Sequence, residues 1–199
     1  MANSKTSTGK DYASFLKFYD GFPKKGVNFV DIMPFIQDRE LLKSLVGDLG
    51  RMCDSPNLAA PEARGFLFAA PMMTECDKFS CIVPLRKKGK LPYAEGDLVN
   101  VEIMKEYGSD IINYRKSDLA ACKVNDETKT IELTFFDDVL ATGGTAKGII
   151  ESLNSQTIQV DGVDYKVKVK DMVFLVEIAD LCGRKLLEEF APIKSLIVL

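Results

Sequence analysis

The chain has 199 residues, 46% of them apolar and 28% charged, a balance that excludes fibrous and disordered classes and suits one globular domain. A formal net charge of −3 argues against a general polyanion-binding surface, so no nucleic-acid partner is expected and any phosphate chemistry must come from local basic clusters. Histidine is absent, which removes His triads, His-ligated metals and a His general base, and the five cysteines form no C-x-x-C, the pattern of reduced cytoplasmic thiols.

The polar start, MANSKTSTGKD, has no apolar stretch of a signal peptide, and no run of ~18 apolar residues predicts a membrane span, so a cytoplasmic location is expected. Tyr12, Phe15, Leu16 and Tyr19 fall at helical spacing between Asp11 and Tyr19, and Gly21-Phe22-Pro23 ends that predicted helix. Val27 to Ile36 is apolar and broken by Pro34. Asp38 suits the cap of a helix to about Met52, with Leu41, Leu42, Leu45, Val46 and Leu49 on one face. Leu58 to Ala60 predicts a weak strand, and Gly65 to Cys76 a short buried helix. Strands follow at Cys81–Leu85, Ile111–Tyr114 and Ile131–Phe136, then a helix over Thr145–Leu153. Met172–Ile178 reads as a buried strand, Leu181–Phe190 as a helix and Ser195–Leu199 as a last strand. Strands alternating with helices predict an α/β fold with a mainly parallel sheet.

Two stretches break that rhythm. Residues 86–110 show little periodicity over a length where loops are uncommon and often serve as lids. Residues 157–169, TIQVDGVDYKVKV, alternate β-formers around Asp161-Gly162 and predict an added hairpin outside the core sheet.

Chemistry concentrates in Ile131–Ile150, IELTFFDDVLATGGTAKGII. An apolar strand ends in two carboxylates, then a small-residue loop opens a helix. Ala141, Thr142, Gly143, Gly144 and Thr145 offer backbone N–H groups and two hydroxyls to an anion, at a helix N-terminus that favours negative charge. Asp137 and Asp138 would repel a phosphate but accept hydrogen bonds from sugar hydroxyls. A phosphate beside a diol is a ribose 5-phosphate. Arg86, Lys87, Lys88 and Lys90 crowd four positive charges into five residues at a strand end, the makings of an anion clamp. Arg64 precedes Gly65 at a turn into a helix, where its fork suits phosphate oxygens. Phe29 is a candidate to stack on a flat base.

The stretch DDVLATGGT resembles the phosphoribosyl pyrophosphate (PRPP) motif of type I phosphoribosyltransferases, and further segments narrow the likeness to the adenine phosphoribosyltransferase family. FPKKGVNFVDIMP (22–34) is similar to its N-terminal purine segment, and EARGFLFAAP (62–71) to its pyrophosphate turn. PLRKKGKLP (84–92) and KEYGSD (105–110) resemble the two ends of its mobile loop, and FLVEIADLCGRKLL (174–187) its late strand and helix. Val30 departs from the family's usual Arg, and Asn28 from its usual branched aliphatic residue.

The resemblance implies one type I phosphoribosyltransferase domain over 1–199, with a hood at about 11–36 and a lid at about 86–110. It implies adenine and PRPP as substrates, AMP and pyrophosphate as products, and a purine-salvage role. Ala141–Thr145 would take the 5-phosphate, and Asp137 and Asp138 the ribose. Arg64, Arg86, Lys87, Lys90 and Tyr107 would face pyrophosphate, Val27, Asn28, Phe29 and Val30 the base, and Glu106 would handle the proton. Mg²⁺ is expected, held mainly through PRPP and water rather than by direct protein ligands, and a homodimer is expected. The turn is also expected to hold a cis peptide at Glu62–Ala63. Another base (hypoxanthine or guanine, xanthine, orotate) and a non-catalytic PRPP-binding regulator remain as alternatives. Adenine is favoured because Met172–Val176 offers no side-chain donor to a 6-oxo group.

Overall fold

The apolar runs of the sequence become the strands of one twisted sheet, and the amphipathic segments become helices on its two faces. The computed structural model describes residues 10–105 and 108–199, with only the backbone given at 104, 105, 108 and 109. In chain order the elements are β1 (Lys17–Asp20), β2 (Asn28–Asp31), α1 (Arg39–Met52), β3 (Asn57–Pro61), α2 (Arg64–Glu75), β4 (Cys81–Lys87) and β5 (Leu98–Lys105). There follow β6 (Gly108–Arg115), α3 (Lys116–Ala120), β7 (Thr130–Leu140), α4 (Gly144–Asn154), β8 (Thr157–Val160), β9 (Val163–Glu177), α5 (Gly183–Leu187) and β10 (Ile193–Val198).

The sheet runs β10-β9-β7-β3-β4-β6-β5. Pairings from β10 to β4 are parallel, while β6 runs antiparallel to both β4 and β5. A strand with both faces covered is apolar throughout. Every residue of β3 is accordingly buried, with Ala59 in the core under α4 and its neighbours Leu58 and Ala60 in the core under α1 and α2. Asp38 caps α1 as expected, its side chain accepting from the Leu41 N–H at 2.9 Å. The five cysteines are free, and the Sγ atoms of Cys81 and Cys122 lie 3.1 Å apart.

Four local expectations are corrected. The segment 11–19 is a 3₁₀ turn at Tyr12–Phe15 followed by β1, because Lys17–Asp20 pairs with β2 in a separate antiparallel ribbon. Residues 98–105 form a strand instead of a loop, since VNVEIMK alternates and buries Val101 and Ile103 in the core. The late helix is short, with a 3₁₀ turn at Ala179–Leu181 ahead of α5. The 157–169 hairpin does turn at Asp161-Gly162, with β8 antiparallel to β9. Its second arm, however, is the front of a core strand. From Lys166 onward β9 pairs with β7, and Ile158, Tyr165, Val167 and Val169 are buried in the core.

Candidate active site

The carboxyl ends of β3, β4, β7 and β9 lie along one edge of the sheet, the place where open α/β sheets receive ligands. There β7 carries Asp137 and Asp138, after Phe135 and Phe136 have anchored the strand in the two cores. The chain then turns through Ala141-Thr142-Gly143 into α4. Gly143 has φ +79°, a left-handed conformation that glycine adopts without steric cost. No side chain caps the first N–H groups of α4, which leaves them facing a cavity of about 170 Å³. Ala141, Thr142, Gly143, Gly144 and Thr145 all line that cavity together with Asp137, so the five predicted phosphate residues converge.

The acidic pair is electrostatically costly. Asp137 accepts a hydrogen bond from the Asp138 N–H at 2.8 Å. Burial, and then the neighbouring Asp138 carboxylate, push the Asp137 carboxyl well above the usual carboxylate range. Asp138 is buried, and its Oδ2 has no hydrogen-bond partner among the described residues. Arg64 Nε stands 2.9 Å from that oxygen as an ion pair without hydrogen-bond alignment. Arg64 opens α2 just after the Glu62–Ala63 peptide, which is cis as expected. Its guanidinium also lies 5.7 Å from the Phe29 ring centre, so one cation joins the acids to the neighbouring pocket.

That pocket has a volume of about 500 Å³ and is walled in part by Val27, Asn28, Phe29 and Val30, so the four residues that the resemblance groups together do converge. Phe29 meets Phe22 edge-on at 5.1 Å between ring centres, which fixes the ring. Val139 and Ala141 line both cavities, so the two share a wall. Ile178, Asp180 and Leu181 complete the pocket and were not predicted. Their only sequence signal is that they follow the carboxyl end of a buried strand.

The remaining cations are less convergent. Arg86 pairs with Glu62 and lies 5.8 Å from the Phe66 ring centre. Lys87 is exposed and lines a different cavity, with Lys88, Asp110 and Ile111. Lys90 is exposed in the turn after β4, its N–H bonded to the Lys87 carbonyl at 3.1 Å. Glu106 and Tyr107 lie outside the described residues. Among the described residues no group of three or more His, Cys, Asp or Glu could hold a metal ion. No described helix is long and apolar enough to cross a membrane.

The crystal structure of adenine phosphoribosyltransferase from Thermoanaerobacter pseudethanolicus superimposes with a TM-score of 0.76 at 32% identity, covering 94% of this chain and 97% of that one. The Saccharomyces cerevisiae enzyme, solved with adenine and an imino-altritol bisphosphate, matches at TM-score 0.72 and 26% identity over 92% of this chain and 95% of that one. The fold is the type I phosphoribosyltransferase fold. No protein-family model matches the chain. The adenine phosphoribosyltransferase of Clostridium kluyveri is 32% identical over 178 residues, 88% of this chain and 91% of its own length. That of Mycoplasmopsis pulmonis is 36% identical over 171 residues, 85% of this chain and 88% of its own. The chain belongs to the adenine phosphoribosyltransferase family.

Proposed function

We propose that the protein transfers the 5-phosphoribosyl group of PRPP to adenine, releasing pyrophosphate and giving AMP, a purine-salvage step. The observation that carries this reading is the shared wall. An anion cradle with a carboxylate at its rim and an apolar pocket with a fixed aromatic ring meet at Val139 and Ala141. That arrangement suits a phosphosugar beside a flat base.

The Ala141–Thr145 loop would hold the 5-phosphate through backbone N–H groups and the Thr142 and Thr145 hydroxyls. Asp137 and Asp138 would accept from the ribose hydroxyls, which would give Asp138 Oδ2 a hydrogen-bond donor beside its ion pair with Arg64. Positive charge develops at C1 of ribose while negative charge builds on pyrophosphate. Arg64, already held beside the acids, is placed for that developing negative charge, with Arg86, Lys87 and Lys90 joining from β4 and the turn after it, and Tyr107 added on the family resemblance alone. The carboxylate pair also suits a hard divalent cation held through PRPP oxygens and water. Mg²⁺ there would offset charge on the leaving group. With no histidine in the chain, Glu106 is the carboxyl we assign to the adenine proton, taken from N9 as N9 bonds to C1, or delivered to N7 in the reverse reaction as N9 is freed from C1. Glu106→Gln should lower kcat by roughly 10²–10⁴-fold with little change in PRPP affinity. A near-normal kcat with chemistry rate-limiting would remove Glu106 from that role.

A homodimer in the cytoplasm is part of the proposal, on family likeness. The test is a panel of bases incubated with PRPP and Mg²⁺, following nucleotide formation. Adenine should react fastest. Faster turnover of hypoxanthine would reassign the substrate and point to Asn28 and Val30.

A further inference from the structure

Gly183 opens α5 directly after Cys182, whose φ is +56°. It lies so close to the phosphate loop that a Cβ on it would stand 2.2 Å from the Ala141 carbonyl oxygen and 2.9 Å from Leu140 Cδ1. The crowding is mutual. A Cβ on Gly143 would lie 3.0 Å from the Gly183 carbonyl oxygen and 3.3 Å from Gly183 Cα. The next loop glycine, Gly144, would meet nothing within 4 Å, so the contact is confined to the Ala141–Gly143 side. Two backbones therefore touch at a point where neither carries a side chain.

The segment bearing Gly183 is held firmly from behind. Arg184 pairs with Glu177, its Nε donating at 2.8 Å, and its Nη1 donates to the Ile193 carbonyl at 3.0 Å. The Ser195 hydroxyl donates to Glu177 Oε2 at 2.6 Å. The Ile178 N–H donates to the Leu140 carbonyl at 2.9 Å, tying the segment to the start of the loop. A side chain at 183 thus meets backbone on one side and an anchored segment on the other, and the phosphate loop is what must move.

We infer that Gly183 is a positioning residue for the 5-phosphate: its bare backbone sets how far the Ala141–Thr145 loop stands from the sheet edge, and so whether the cradle fits a phosphate. The inference rests on the reading of that loop as the 5-phosphate site. The test compares wild type, Gly183→Ala and Gly47→Ala, a remote control whose added Cβ would be in ordinary contact with Arg51 at 3.7 Å. Affinity for ribose 5-phosphate is measured by titration calorimetry, and KM for PRPP and adenine by steady-state kinetics. Gly183→Ala should weaken ribose 5-phosphate and raise KM for PRPP by about tenfold or more, the scale expected when a binding group is misplaced, with a clearly smaller rise in KM for adenine, whose proposed pocket shares Ala141 but not Thr142 to Thr145. Gly47→Ala should match wild type. Unchanged ribose 5-phosphate affinity in a folded Gly183→Ala, or equal losses for ribose 5-phosphate and adenine, would overturn the inference. If circular dichroism shows that Gly183→Ala does not fold, Glu177→Gln carries the test. By loosening the anchor it should weaken ribose 5-phosphate by about threefold, and adenine is no reference for this variant because Ile178, Asp180 and Leu181 of the same segment line its proposed pocket. An unaffected ribose 5-phosphate affinity there overturns the inference as well. A wild type that binds neither PRPP nor ribose 5-phosphate would instead overturn the phosphate-site reading, and the inference with it.

Discussion

At the scale of single residues, Asp137 shows how the site trades stability for binding. Its carboxyl is pushed above the ordinary range by burial and by Asp138, so the folded state binds that proton more tightly than the unfolded chain. The stability this contributes is present below the ordinary carboxylate pKa of ~3.9 and is lost as pH rises through the raised value. Asp137→Asn keeps the acceptor for the Asp138 N–H and removes the titration. The ligand-free variant should therefore melt at a higher temperature than wild type near pH 7, and the difference should vanish below about pH 4. PRPP affinity should fall about ten- to a hundredfold, the scale of a lost hydrogen bond to a charged group. Thermal melts across pH, paired with PRPP titration, check both halves. A variant less stable than wild type at pH 7 would show that the carboxylate is not a strained group. Residues such as Asp137, Thr142 and Gly143 were legible in the sequence because one short stretch carries strand end, acids, loop and helix start. Ile178, Asp180 and Leu181 were not, since only the parallel pairing of β9 with β7 brings them to the base pocket.

At the scale of elements, legibility followed burial on both faces. The central strand β7 and the rear half of β9 stand out as apolar runs and α1 by its cap and stripe, whereas β3 gives only a weak strand signal. Segments whose structure depends on a partner strand carry a weaker signal. The aromatic stretch before Asp20 has helical spacing, but only Leu16 and Tyr12 are buried in it, and Lys17–Asp20 gains backbone partners from β2. The alternation in β5 is a faint signal because it sits between two stretches of turn residues. The β8–β9 hairpin gives the sharpest test of element-level packing. As an external ornament it could be exchanged for a Gly/Ser linker without harm. Yet Ile158, Tyr165, Val167 and Val169 are almost fully buried, and each such side chain contributes roughly 1.5–3 kcal/mol. Losing all four would cost about 6–12 kcal/mol, comparable to the whole stability of a domain at ~5–15 kcal/mol. Replacing residues 157–169 by a flexible linker should therefore give an insoluble or unfolded protein by circular dichroism. A folded, PRPP-binding product would show that the core closes without this arm.

At the scale of the whole molecule, the sheet sorts charge that its composition conceals. The chain is mildly acidic, with a net charge of −3, yet it must hold a substrate carrying several negative charges. Two devices are available, and they respond differently to salt. One is the loop cradle with Arg64, where helix-terminal N–H groups and a cation pinned beside the buried Asp138 are held at the sheet edge. The other is the exposed basic end of β4 and the turn after it, where Lys87 and Lys90 stand in solvent. Exposed charges are screened over ~10 Å at 0.1 M salt and ~3 Å at 1 M, whereas a contact hydrogen bond is screened little. Adenine is uncharged, so KM for adenine supplies an internal reference even though Arg64 and Asp180 are among the residues lining its proposed pocket. If the basic turn recruits pyrophosphate, KM for PRPP should rise several-fold between ~0.05 M and ~0.5 M salt while KM for adenine stays nearly constant. In Lys87→Ala/Lys90→Ala the salt dependence should flatten, with a higher KM for PRPP at low salt. A salt-independent KM for PRPP in wild type would place the whole of pyrophosphate recognition on Arg64 and the backbone, and leave the lysines as ordinary solvated charges.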